Sequence, residues 1–111
     1  MIEVHSPLEI EPDPRGGWQL VFWVGDVGDY KTPFRTMLAE IARALCQHPP
    51  RDLQLPAHEE WEDFVEGTLR FGSTTLSIYY EHSLGYLALM SESADVLGEV
   101  AARLQPSLSK V

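Results

Sequence analysis

The dipeptide Gly72-Ser73 separates two runs in which apolar and polar residues alternate, FVEGTLRF before it and TTLSIYYE after it. Nothing else in the chain constrains the fold as tightly. A two-residue loop with glycine first is the tight connection of a β-hairpin, because that position needs a positive φ. Such a turn sets Leu69 opposite Leu76, Gly67 opposite Ile78 and Val65 opposite Tyr80, gathering the apolar residues on one face. Glu66, Thr68, Arg70, Thr75, Ser77, Tyr79 and Glu81 fall on the other face. A slip of one residue would mix the two sets, so the pattern itself specifies the register. The first strand is expected from Phe64 to Phe71. Trp61, Phe64 and Val65 also stand at helical spacing, but the hairpin leaves room for at most one helical turn before it.

The alternation continues downstream. A four-residue loop, His82 to Gly85, places Tyr80 beside Leu87 and Ile78 beside Leu89, and adds Tyr86, Ala88 and Met90 to the polar face. Upstream, Ile2, Val4, Leu8 and Ile10 share one parity while Glu3, His5, Glu9 and Glu11 take the other, an amphipathic strand. The loop PDPRGG leads to WQLVFWV at 18–24, whose nearly continuous apolar character predicts a central strand covered on both faces, or nearly so. These two strands form a second hairpin.

Two helices complete the pattern. Thr32 is placed to cap the first, with Pro33 at its opening position, and Phe34, Met37, Leu38, Ile41 and Leu45 recur at helical spacing. Pro49-Pro50 should stop it, with His48 in the last turn and a connecting loop over 49–60. Ser91 or Ser93 caps the second helix, in which Val96, Leu97, Val100, Ala101 and Leu104 form the apolar stripe, and Pro106 ends it. Residues 106–111 read as a loose tail.

The order β-β-α-β-β-β-α predicts an α+β fold: a two-layer sandwich, with a five-stranded, mostly antiparallel sheet and two helices on one face. At 111 residues, 44% of them hydrophobic, the chain suits one domain over 1–111 with a real core. The uncovered sheet face should carry Glu66, Tyr79, Glu81, Tyr86 and Met90, with Glu3, Glu9 and Glu11 toward one side and Trp23 in the middle.

Charge narrows the partners. Seventeen acids against eight bases give a net charge of −9. That field repels phosphate backbones, so nucleic acid and anionic membrane are poor partners and a basic protein is a better one. The same charge also keeps a protein soluble without further purpose. The opening MIEVHSPLEI has neither a basic nor an apolar signal region, and no run approaches the roughly 20 apolar residues of a membrane span. A cytoplasmic protein is the expectation. Cys46 is the single cysteine, so no internal disulfide forms, and its helical setting predicts a buried thiol.

Catalytic signatures are absent from the sequence. His5, His48, His58 and His82 are scattered, without HxxxH, HxH or CxxC spacing, so neither a metal nor a cofactor is expected. No GxSxG elbow, P-loop or GxGxxG is present. GDVGDYK at 25–31 has two glycines, but acids stand where a phosphate cradle needs bare N–H groups. The adjacent acids Glu59/Glu60 and Glu62/Asp63 match a hydrolytic pair only in residue type, since neighbouring loop side chains point apart.

What remains is HEEWEDFVE at 58–66, with five carboxylates and two aromatics in nine residues. Binding surfaces combine aromatic anchors with charges that speed encounter and choose the partner. The candidate partner-binding residues are therefore Glu59, Glu60, Trp61, Glu62, Asp63 and Glu66, joined across the open face by Tyr79, Glu81 and Tyr86. The competing view buries Trp61 and Phe64 and leaves the acids as a wet loop. The functional expectation is a non-enzymatic acidic protein, monomer or homodimer, that neutralises or escorts a basic protein. Its most concrete form is an immunity-type inhibitor of a cationic bacterial toxin or nuclease, which the chain resembles in size and charge alone. Alternatives are a secretion chaperone or adaptor for a basic client, and a small enzyme with a pocket between sheet and helices using His82 or His58 with Glu81 or Glu59. A module that self-associates through the open face, with Arg70 offsetting its charge, is a further alternative.

Overall fold

The structure is a computed structural model that describes residues 2–24, 34–45, 48–57 and 63–110. Its centre is the hairpin that the alternating runs predict. Strands β5 (Phe64–Phe71) and β6 (Thr74–Glu81) pair antiparallel with Leu69 opposite Leu76, Gly67 opposite Ile78 and Val65 opposite Tyr80. Gly72 takes φ +62° at the first turn position, a conformation open to glycine at little cost. Strand β7 (Tyr86–Ser91) follows after one turn of 3-10 helix at His82–Leu84, and sets Leu87 beside Tyr80 and Leu89 beside Ile78.

Strands β2 (Glu9–Pro12) and β3 (Trp18–Trp23) form the other hairpin, and β3 pairs antiparallel with β7. The main sheet runs β2-β3-β7-β6-β5-β4. Among the described residues it therefore has six strands where five are expected. The additional one, β4 (Leu53–Gln54), comes from the segment read as a loop and pairs with Leu69 and Thr68. Two residues are too short a run to show an alternation in sequence.

Helices α1 (Phe34–Leu45) and α3 (Ala94–Leu104) pack side by side over one face of the sheet, giving the expected mostly antiparallel α+β sandwich. Leu38, Ile41, Ala42 and Leu45 of α1 are buried, as are Leu97, Val100 and Leu104 of α3. They meet Leu20, Phe22, Val65, Leu69, Leu76, Ile78, Tyr80, Leu87 and Leu89 of the sheet in one core. Each fully buried leucine contributes about 1.5–3 kcal/mol of transfer free energy. Ser93 caps α3, its hydroxyl accepting from the Val96 N–H at 3.3 Å. The cap expected at Thr32-Pro33 and the burial of Cys46 fall outside the described residues.

Four expectations change. The first amphipathic strand is broken at Ser6-Pro7: residues 9–12 pair with β3 in the main sheet, while β1 (Ile2–Val4) leaves it, touching it only where Val4 bridges Val24 and the His5 N–H donates to Trp23 O. Proline has no N–H to extend a ladder. Glu3 consequently lies on a strand outside the main sheet. The tail is also not loose: Gln105–Ser107 make a 3-10 turn, and β8 (Leu108–Lys110) pairs parallel with β1, Ile2 opposite Leu108. Pro49-Pro50 do not merely stop α1. They open a one-turn helix, α2 (Pro49–Asp52), at positions where a missing N–H costs nothing. His48 therefore precedes α2 rather than closing α1, its N–H donating to Asp52 Oδ2 at 3.2 Å. Finally, β3 is covered on both faces only in part, with Leu20, Val21 and Phe22 buried but Trp23 exposed.

Candidate functional site

The face of the sheet opposite the helices is built by strand parity. β5 presents Phe64, Glu66, Thr68 and Arg70; β6 presents Ser77, Tyr79 and Glu81; β7 presents Tyr86, Ala88 and Met90. β3 adds Gln19, Val21 and Trp23, and β2 adds Glu9 and Glu11 at the edge. These are the even or odd members of their strands, all pointing away from the core.

Four rings run diagonally over this face. Trp23 lies directly across from Tyr86, edge to face, with centroids 5.1 Å apart. Tyr86 meets Tyr79 at 6.3 Å, again edge to face, and Tyr79 stacks on Phe64 at 6.4 Å. The last two contacts join diagonal neighbours, which long side chains on adjacent strands can reach. The ends of the run are the most open: Trp23 is 44% exposed and Phe64 58%. Such rings would normally be covered in a protein of this size, and their geometry is that of favourable aromatic pairs.

Carboxylates border the rings and shape their hydroxyls. Tyr79 donates to Glu81 Oε1 at 2.7 Å. That hydrogen bond holds the proton on the phenol, and burial and the Glu81 charge add to it, so its pKa is pushed up to about 12. Tyr86 donates to Gln19 Oε1 at 3.3 Å, and Gln19 Nε2 donates to Glu11 Oε1 at 2.9 Å, a relay ending at the sheet edge. Burial raises the Tyr86 pKa, the Glu11 and Asp13 charges raise it further, and Arg15 opposes them.

The loop between β2 and β3 folds toward this face. Asp13 organises it: its N–H donates to Gly17 O, its carbonyl accepts from the Gly16 N–H, and its carboxylate accepts from the Arg15 N–H. The Arg15 guanidinium then reaches the Met90 sulfur, Nη2 to Sδ 3.2 Å. Two shallow clefts flank it, of about 450 Å³ and about 340 Å³, and both are lined by Asp13, Arg15, Tyr79 and Met90.

Asp63, Glu66, Tyr79, Glu81 and Tyr86 are thus described, whereas Glu59, Glu60, Trp61 and Glu62 lie outside the described residues. Glu66 is exposed and pairs across from Tyr79; Tyr79, Glu81 and Tyr86 are half-buried on the same face. Asp63 also makes contacts within the chain. Its two carboxylate oxygens accept from the Ser83 N–H and hydroxyl, each at 3.0 Å, tying the start of β5 to the loop before β7. The sequence-derived set omits Phe64, Trp23, Gln19 and Arg15. Phe64 carries a legible signal, because it shares the parity of Glu66. Arg15 carries none, because a loop has no period.

A larger cleft, about 830 Å³, lies between the hairpin turn and the helices, lined by Leu45, His48, Phe71, Val96 and Arg103 among others. Glu81, named for an enzymatic site, lies on the opposite face of the sheet. Arg103 there packs over the Phe71 ring, 5.4 Å from its centroid. Among the described residues no group of three or more His, Cys, Asp or Glu could hold a metal ion, and no helix is long and apolar enough to cross a membrane.

Among the described residues, these features define an α+β sandwich with one sheet face left open, aromatic along its diagonal and acidic at its border. Compared with protein-family models, curated proteins and solved structures, the chain shows no match.

Proposed function

We propose that the protein is a non-enzymatic binding protein whose open sheet face receives a basic protein. The observation that carries this reading is the ring-to-ring run Trp23–Tyr86–Tyr79–Phe64, bordered by Glu9, Glu11, Glu66 and Glu81 on the same face. Aromatic faces attract guanidinium and ammonium groups, and the nearby carboxylates strengthen that attraction. The net charge of −9 adds long-range steering toward a cationic partner. The partner is a basic protein; an immunity-type inhibitor of a cationic toxin or nuclease is the specific form this takes, and escort of a basic secretion client is the other.

The binding of an arginine-rich peptide, followed by calorimetry and stopped-flow fluorescence, tests the reading. Association should slow as ionic strength rises, because exposed charges are screened over roughly 10 Å at 0.1 M salt. The double variant W23A/F64A should bind at least tenfold more weakly, as expected for two hot-spot rings. Equal affinity in that variant would remove the face from the proposal.

A further inference from the structure

Arg15 is a cation placed on an anionic face. Its side chain is 70% exposed, and among the described residues its guanidinium has weak contacts, a thioether sulfur at 3.2 Å and the Asp13 carboxylate at 3.8 Å. A thioether is a poor acceptor, so little holds the guanidinium where it lies. Two clefts that share Asp13, Tyr79 and Met90 are both lined by it. One is floored by Tyr79, Tyr86 and Ala88, the other bordered by Glu66 and Ser77. Turning Arg15 outward would remove a side chain that lines both clefts and would join them into one groove beside Tyr79 and Tyr86.

We propose that Arg15 is a built-in stand-in for an arginine of the partner, lying across the groove until the partner's guanidinium takes its place. This rests on the function proposed above and specifies its ligand: an arginine-bearing, extended segment, in preference to a lysine-bearing one. The planar guanidinium stacks on rings and forks to carboxylates in ways an ammonium cannot. Tyr86 supplies the ring, while Glu11 and Asp13 lie close enough to act on its hydroxyl electrostatically. Binding must displace Arg15, so the apparent affinity is lowered by the fraction of molecules in which it lies across the groove.

The test compares wild type with R15A, R15K and R43A, using an arginine-rich peptide and its lysine counterpart of equal length and charge. Arg43 is exposed on α1, so R43A removes the same charge away from the groove. Circular dichroism establishes that each variant is folded. The expected result is that R15A binds the arginine peptide about 3- to 10-fold more tightly than wild type. The lysine peptide should gain no more from R15A than from R43A, and R15K should fall between wild type and R15A for the arginine peptide. A gain equal in R15A and R43A, or equal for both peptides, reduces Arg15 to a general charge and overturns the inference. If wild type binds but R15A is no tighter, the inference fails and the proposed function stands. If no variant binds either peptide, both fail together.

Discussion

The Tyr79 hydroxyl and the Glu81 carboxylate, two residues apart on one strand, are joined by a 2.7 Å hydrogen bond on the open face of the sheet. Period-two geometry brings them to the same side, and the bond ties a ring of the aromatic run to its acidic border. The phenol consequently resists ionisation, its pKa pushed up to about 12. Burial alone pushes Tyr80, on the core side of the same strand, to about 12 as well. An unfolded tyrosine titrates near 10. Between these values the unfolded chain binds fewer protons than the folded one, so stability falls as pH rises. The contribution is fully present below about pH 10 and is lost by about pH 12. Tyrosinate absorbance of the folded protein should lag that of the chain in denaturant, and Y79F should remove part of the late component without disturbing the rest.

Gly67 leaves no room for a side chain. A Cβ there would stand 2.5 Å from the Gln54 carbonyl oxygen and 2.7 Å from Leu55 Cδ2. The first of these is backbone and cannot rotate aside, so G67A should displace β4 and cost about 1–3 kcal/mol. A lowered denaturant midpoint, with protection lost at the Leu53–Gln54 amides in hydrogen exchange, is the expected outcome.

Asp63 should prove structural rather than partner-contacting. D63A removes the acceptor for the Ser83 N–H and hydroxyl and should cost about 1–3 kcal/mol in thermal or denaturant unfolding. Peptide affinity per folded molecule should stay within about twofold, on the order of the smallest effects separable in such assays.

Removing residues 108–111 strips β1 of its parallel partner. Ile2 is 2% exposed and lies opposite Leu108, so truncation should uncover it and cost roughly 1–3 kcal/mol. An unfolding midpoint unchanged by this truncation would show that the tail contributes nothing to stability.

The core and the open face should separate cleanly by mutation. L69A, at a position with no exposure, should cost about 2–5 kcal/mol. F64A, on the same strand and mostly exposed, should change stability by no more than about 0.5 kcal/mol while weakening peptide binding. Paired unfolding and binding measurements read both effects.

Much of this molecule is legible along the chain. Gly72-Ser73 and its flanking alternation determine β5, β6 and their register, and the loop to Gly85 extends the same pairing to β7, because turn chemistry and strand parity act between near neighbours. The stripes of α1 and α3 and the Ser93 cap are equally local. Parity also forecast that Glu66, Tyr79, Glu81 and Tyr86 would share a face. Other features depend on residues far apart in sequence. Leu108 joins Ile2, Leu53 joins Leu69, Trp23 meets Tyr86 and Arg15 crosses to Met90. No local period records such contacts: they form only once the sheet has closed the long intervening loops, and the assembled sheet, not any one segment, selects which side chains meet.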